Sequence, residues 1–492
     1  MGHRDERGEG TENTSTSDQD NVEEGTVIID DHASGLAGPM SWRLILSVAL
    51  PASLSNSMAP ALTTLQSSLL GHQVEGDVAL AAFGSVATTI ALATRVATFL
   101  GDASSAKSGN AIAARSPKAL RDSIRSSLTW AVSLGLISVV LLSAARPFVF
   151  AKLLHLRGDV LAAAEGYWLY ALAKIPFQLL NIAVNGALQG YRRANTVALN
   201  TGLFTAGELA LDIVALCAAP QEPLLVKFGL VGVFVSFAQV CSAMYNLLTC
   251  VPVDADDRGE GRSLLQHLLA DDGGDEGNEG NEGNEEEEEE EDRRGGMVDM
   301  FVRSLVMQTT FLVCLVLVSR MPNNTAALAA HHIVTNIWML VSYFVDGFAA
   351  SAIVWGSRLR ASASTSSRRA QIELTKRCLT CGLVAGVVVG VTLTARRDQI
   401  IRFYVGAASE EDLVWELLKS MWVLLAGVQA LNGVVFVIDG LLCAGGDFRY
   451  ISKAYAAGLL FVFLPLVASP LRSSLLGVWF VKAIFNLYRM YV

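Results

Sequence analysis

Glu208 and Asp212 are the residues whose type and spacing point most directly to chemistry. They stand four apart within an apolar stretch, so on a helix both project from one face. An ionisable group at the centre of a membrane helix costs about 2.5–3.5 kcal/mol on insertion scales, which makes each a functional candidate. Two carboxylates short of water repel each other, and one bound proton relieves both penalties. Such a pair suits the uptake of a proton on one side of a membrane and its release on the other. The plainer reading is a buried pair neutralised by Lys174 in the preceding apolar stretch, and both readings hold together.

Asp346 and Asp439 are the intramembrane carboxylates of the second half, and each precedes a glycine that permits close backbone approach. They are candidates for ion coupling or for binding a cationic solute, with structural hydrogen bonding as the alternative. Gln66, Asn181 and Asn185 add uncharged polar groups, which on membrane helices join helices as often as they bind ligands. His331 and His332 open the eighth apolar stretch, where a polar helix-entry cap is expected ahead of pH sensing. Arg95 is expected to reach the membrane interface.

The elements that must carry these residues are membrane helices. Mean hydropathy is +0.41 and 52% of residues are apolar, too oily for a soluble chain of 492 residues. A span needs about 20 apolar residues to cross the hydrocarbon core, and helices are its default form. Twelve such stretches are expected, at 42–69, 78–102, 122–145, 160–187, 195–219, 226–250, 299–320, 327–356, 372–395, 412–442, 450–469 and 474–491. The fold class is therefore all-α, with twelve transmembrane helices in two six-helix lobes over 40–250 and 298–492.

The net charge of −10 hides a basic body. Residues 1–39 carry −8 and residues 251–297 carry −14, which leaves +12 for the remainder. Both acidic stretches read as disordered appendages, because the Gly-Asn-Glu repeat and the Glu285–Glu291 run cannot bury a core. The linker is expected to be a solvated connector, with cation sensing or regulation as the alternative. The N-terminal tail has the form neither of a signal peptide nor of an Arg-rich transit peptide. Cysteines lie mostly in apolar stretches and read as small hydrophobes; Cys378 and Cys381 lack the second pair a zinc site needs.

Basic residues in short loops orient the bundle. Lys107, Arg115, Lys118 and Arg121 follow the second stretch, Arg192 and Arg193 the fourth, and Arg358 and Arg360 the eighth. Both termini and the linker are then expected on the cytoplasmic side. Asn323-Asn324-Thr325 falls outside and forms a glycosylation sequon. The halves also resemble each other. Leu80-Ala81-Ala82 matches Leu328-Ala329-Ala330, and Asn185-Gly186 matches Asp439-Gly440. Six helices separate the copies, so the repeat is parallel, with a cavity expected between the lobes.

These residues resemble the multidrug and toxic compound extrusion (MATE) transporters, in particular the DinF-like branch. Pro60 and Gly71 hold the first-helix positions of that branch, and Leu211-Asp212-Ile213-Val214 is similar to its fifth-helix motif. Leu328 to His331, Tyr343 to Ala349 and Asp439 through Arg449 look like its second half. The likeness covers about residues 41–491. Two positions depart from it, since Gln66 stands where the branch carries Asp, and Glu208 where it carries Asn. The family's aspartate and asparagine roles therefore do not transfer to those positions.

The resemblance implies two bundles rocking around a central cavity. It also implies export of small organic solutes, cationic or amphipathic, in exchange for H⁺ or Na⁺. Coupling would rest on Glu208, Asp212, Asp346 and Asp439, with Gln66, Asn181, Asn185 and Lys174 lining the cavity. A lipid-linked substrate flippase and a non-transporting scaffold or sensor are the rivals. No enzyme signature stands out: there is no P-loop, HExxH or dinucleotide fingerprint. The expected chain is a monomer that takes a coupling ion but no cofactor, metal or nucleic acid. The host membrane (plasma, vacuolar or plastid) is not specified by these residues.

Overall fold

The computed structural model describes residues 41–73, 76–113, 117–191, 193–218, 223–249, 283–361, 365–406 and 413–492. The N-terminal tail and linker residues 251–282 lie outside the described residues. Among those described there is helix but no strand. The first lobe runs through Trp42–Gly71, then Gly76–Val96 continued by Phe99–Ala113, then Pro117–Pro147 ending in a π-helical turn, Phe148–Leu153. Gly158–Gly190, Ala194–Ala218 and Leu224–Thr249 complete it as spans four to six.

The second lobe comprises Gly283–Val318, Asn324–Ala361 and Thr365–Ala395 as spans seven to nine, with a short helix Arg397–Val405 after them. Span ten is broken into Leu413–Gly427 and Gln429–Gly445, bent by 50°. A glycine ending the first segment is a recurrent site of helix kinks. Span eleven runs from Phe448–Gly458 through a π-helical turn, Leu459–Phe463, into Leu464–Ala468, and span twelve is Leu475–Tyr491. Ten of these helices are long and apolar enough to cross a membrane, and the bent pair makes an eleventh. The last has 17 residues, or about 25 Å at the helical rise. The all-α fold of twelve spans thus stands.

The expectation that the disordered linker extends to residue 297 is corrected at its far end. The seventh helix begins at Gly283 and continues through the glutamate run. Glutamate and arginine are good helix formers, and an established membrane helix needs no new nucleus to extend outward.

Because the span count is even, residues 41, 249, 283 and 492 share one face of the bundle, the termini face. The opposite, distal face carries the turns at 72–73, 154–157 and 319–323. The lobes meet along spans one and eight, which run antiparallel over nearly their full length. Ser351 Oγ donates to the Ile45 carbonyl at 3.0 Å near the termini face. Asn56 Nδ2 donates to Asp346 Oδ2 at 3.4 Å midway. Ser67 Oγ lies 2.9 Å from His332 Nε2 nearer the distal face, and Asn336 Nδ2 donates to Ser67 Oγ at 2.7 Å. Gly347 lies against the backbone of Ala49 and Ser53 with no room for a methyl group. Small residues allow such approach where apolar burial cannot drive helices together.

Candidate functional site

In the first lobe, span four brings Lys174 against span five, and its Nζ donates to Glu208 Oε1 at 3.0 Å. One turn along, Asp212 faces span one, where Gln66 Nε2 donates to Asp212 Oδ2 at 2.8 Å. Asp212 is 0% exposed and Glu208 6%. Asp212 Oδ1 is buried without a hydrogen-bond partner. Each carboxylate therefore has its own donor, one charged and one neutral, and one oxygen is left open. The sixth span supplies room: a Cβ on Gly232 would sit 3.0 Å from both Glu208 Oε1 and Lys174 Cε. Any side chain there presses on the ion pair.

The second lobe holds a larger network of opposite balance. Asp439 on span ten accepts from the Tyr455 hydroxyl through Oδ1 and from Arg489 through Oδ2, and Arg303 stands 3.5 Å from Oδ2. Arg489 also donates to Tyr455 Oη and to Asn486 Oδ1, both at 3.0 Å. Asn486 Nδ2 continues to Asn432 Oδ1 at 2.8 Å, and Asn432 Nδ2 to Gln429 Oε1 at 3.2 Å, beside the break in span ten. A second cation of span twelve, Lys482, is 1% exposed and donates to Thr310 Oγ1. Its ammonium lies 3.8 Å from the Phe311 ring centroid, a cation–π contact. No carboxylate pairs with it among the described residues.

Solved structures share this architecture. A solved outward-facing multidrug resistance MATE transporter of the MOP superfamily superposes with a TM-score of 0.68, covering 93% of this chain and 94% of that one at 16% identity. The family profile described as MatE matches residues 51–206, which include Gln66, Lys174 and the first half of span five but stop short of Glu208 and Asp212. Over that stretch the chain is similar to the MATE family. Protein DETOXIFICATION 42 of Arabidopsis thaliana is 27% identical over 181 residues, 37% of this chain and 34% of the relative. Protein DETOXIFICATION 45, chloroplastic, of the same plant is 28% identical over 200 residues, 40% and 33% of the two chains. The matched stretch spans about a third of the length of these curated relatives.

Of the eight residues singled out from the sequence of this chain, four come together: Gln66, Lys174, Glu208 and Asp212. Asn181 and Asn185 lie further along span four with their Oδ1 atoms buried and unpartnered. Asp346 sits on the seam against Asn56, and Asp439 lies inside the second-lobe network, so neither joins the first-lobe pair. The expected helix-entry cap at His331 and His332 is corrected. The eighth span starts earlier, at Asn324, which carries both imidazoles inward. His331 accepts from Trp479 Nε1 at 3.2 Å, and His332 joins Ser67 and Asn336. Arg95 lies 5.7 Å from the centroid of the Tyr343 ring across the seam. Sequence reasoning missed Gly232, Arg303, Lys482 and Arg489. The last two had a signal, because Lys482, Asn486 and Arg489 fall on one face of an apolar helix.

Proposed function

We propose that this MATE protein is a secondary antiporter that exports a small organic solute in exchange for protons, by alternating access between its two lobes. The observation that carries the reading is the Gln66–Asp212–Glu208–Lys174 cluster, with its open, fully buried carboxylate oxygen. An ionised carboxylate stripped of water needs donors on both oxygens. Asp212 has one, so its open oxygen is the natural place for a proton. Sodium fits less well, because a metal cation wants several oxygen ligands, whereas Lys174 and Gln66 present N–H groups to both acids. Proton uptake by Asp212 changes its affinity for Gln66 on span one, the helix that also packs along span eight. That differential contact is what shifts a two-state lobe equilibrium.

The DinF-like assignment rests on the motifs of the first and fifth spans. Under the loop-charge rule the termini face is cytoplasmic and the distal face is the exit side. A relative named as chloroplastic makes a plastid membrane the first to examine with a fluorescent fusion. Proteoliposomes containing the full chain, loaded with fluorescent organic cations and anions in turn, test the coupling. A pH gradient is expected to drive flux and a Na⁺ gradient of equal size is not. Flux driven by Na⁺ alone overturns proton coupling, and no driven flux under either gradient overturns antiport.

A further inference from the structure

On the distal face the two lobes border a half-open pocket of about 450 Å³. His155 and Arg157, from the connection between spans three and four, form one wall. Ser319, Arg320, Asn324 and Thr325, from the connection between spans seven and eight, form the other. No carboxylate lines it, and neither Arg157 nor Arg320 makes an ion pair among the described residues. Asp159, two residues beyond Arg157, is exposed and outside the lining. Two guanidinium groups and an imidazole thus face one cavity with no anion of the protein's own.

The backbone singles out the same place. Among the described residues, the non-glycine residues with positive φ are His155 at 51° and Asn323 at 55°, one beside each wall. Such conformations cost on the order of 1–3 kcal/mol for ordinary residues and cluster at ligand clamps and switch regions. The turn that leads into His155 is π-helical, a form frequent at functional sites, although span eleven holds another. Each lobe thus places a left-handed residue, of a type that adopts this conformation more readily than most, beside the same basic cavity.

We propose that this pocket is a binding site for a small free oxyanion, such as a carboxylate or a phosphate, held between Arg157 and Arg320. Guanidinium groups match such anions with paired, charge-assisted hydrogen bonds. The volume suits a small organic molecule, and Ser319, Asn324 and Thr325 offer further polar groups. Because the arginines come from different lobes, an anion between them replaces a repulsion with two attractions. Occupancy therefore clasps the lobes on the distal face. This site stands apart from the coupling cluster and does not depend on which ion drives transport.

The test uses the full chain in phosphatidylcholine nanodiscs, with thermal unfolding followed while succinate or inorganic phosphate is titrated against chloride at matched ionic strength. A ligand that binds only the folded state raises Tm with concentration, and a rise of several degrees is expected. Arg157→Gln and Arg320→Gln are each expected to remove it, and both side chains are exposed, so folding is retained. In a cysteine-free background, labelling of Thr325→Cys by a small thiol reagent is expected to slow at least threefold with succinate. An equal Tm rise in both arginine variants overturns the proposal, as does the absence of both shift and protection. A shift that needs phosphatidylglycerol in the disc and not a free anion assigns the pocket to a lipid headgroup and also overturns it.

Discussion

The two lobes share a fold and a repeat, yet their buried charges are arranged in opposite ways. The first sets two acids, Glu208 and Asp212, against one cation, Lys174, a formal −1. In the second, one acid, Asp439, meets two cations, Arg489 and Arg303, and a further buried cation, Lys482, has no carboxylate partner among the described residues. In the first lobe each acid has one donor and an oxygen remains open. In the second both oxygens of Asp439 are filled and the network runs on through three amides. A charge held by a single neighbour is free to change protonation as that neighbour moves. A charge held by a tyrosine and two arginines is a structural counter-ion. Duplication supplied the same scaffold twice, and among the described residues only the first copy leaves an oxygen of its buried carboxylates without a partner.

The largest effect is expected from Asp439→Asn, which leaves the buried Arg489 without its counter-charge. Removing one partner of a buried pair costs about 3–5 kcal/mol. A marked fall in thermal stability, or in the yield of inserted protein, is expected. Adding Arg489→Gln should recover part of the loss, since both charges then leave together. Full stability of Asp439→Asn alone would break the distinction between a fixed lobe and a labile one.

Glu208→Gln comes next, read through transport, with a smaller loss of stability because Lys174 loses its counter-charge but keeps a neutral partner. The amide keeps the shape and can still meet Lys174 but cannot carry a proton, so pH-driven flux should fall at least tenfold with insertion retained. Because Gln66 bonds to Asp212, adding Gln66→Asp to this variant rebuilds a pair of acids across spans one and five. Some flux is expected to return, whereas Gln66→Asp alone adds a third acid and should help little. Unchanged flux in Glu208→Gln would leave Asp212 as sole carrier. Gly232→Ala tests the same cluster from the sixth span. Its methyl would meet Lys174 and Glu208, and overpacking of this kind typically costs about 1–3 kcal/mol. A severalfold loss of flux with a small drop in Tm is the expected pattern.

The first-lobe cluster was legible because an i,i+4 pair of acids in an apolar run has few meanings. Hydropathy placed the twelve spans, most of their ends within a few residues, while the second, third, seventh and ninth helices run on beyond their apolar stretches. Gly232 was not legible: its role is to be empty beside Lys174, and a glycine in a membrane helix has many reasons to be there. The basic second lobe was hidden for another reason. Lys482 and Arg489 sit near the end of the chain, where a cation is ordinarily taken to reach the membrane interface, and only packing against spans seven and ten shows them buried. The histidines were misplaced because the eighth span gains a turn at its start, beyond what an apolar window detects.

The smallest effect, and the sharpest test of the comparison, is expected at Lys482. Its ammonium meets a hydroxyl and two aromatic faces, with no carboxylate in reach among the described residues. Burying a charge is costly, and a hydrophobic replacement of similar volume is often neutral or stabilising. Lys482→Met keeps the length of the side chain and its contacts with Phe311 and Phe485 but discards the charge. If the second lobe uses its charges structurally, around Asp439 alone, this variant should unfold within a few degrees of the parent or above it, with pH-driven flux unchanged. Asp439 keeps Arg489, Arg303 and Tyr455 in either case, so the network gives no reason for a loss. A large drop in flux at unchanged Tm would mean that the lone cation takes part in transport. The second lobe would then be labile too, and the division of labour between the copies would fail.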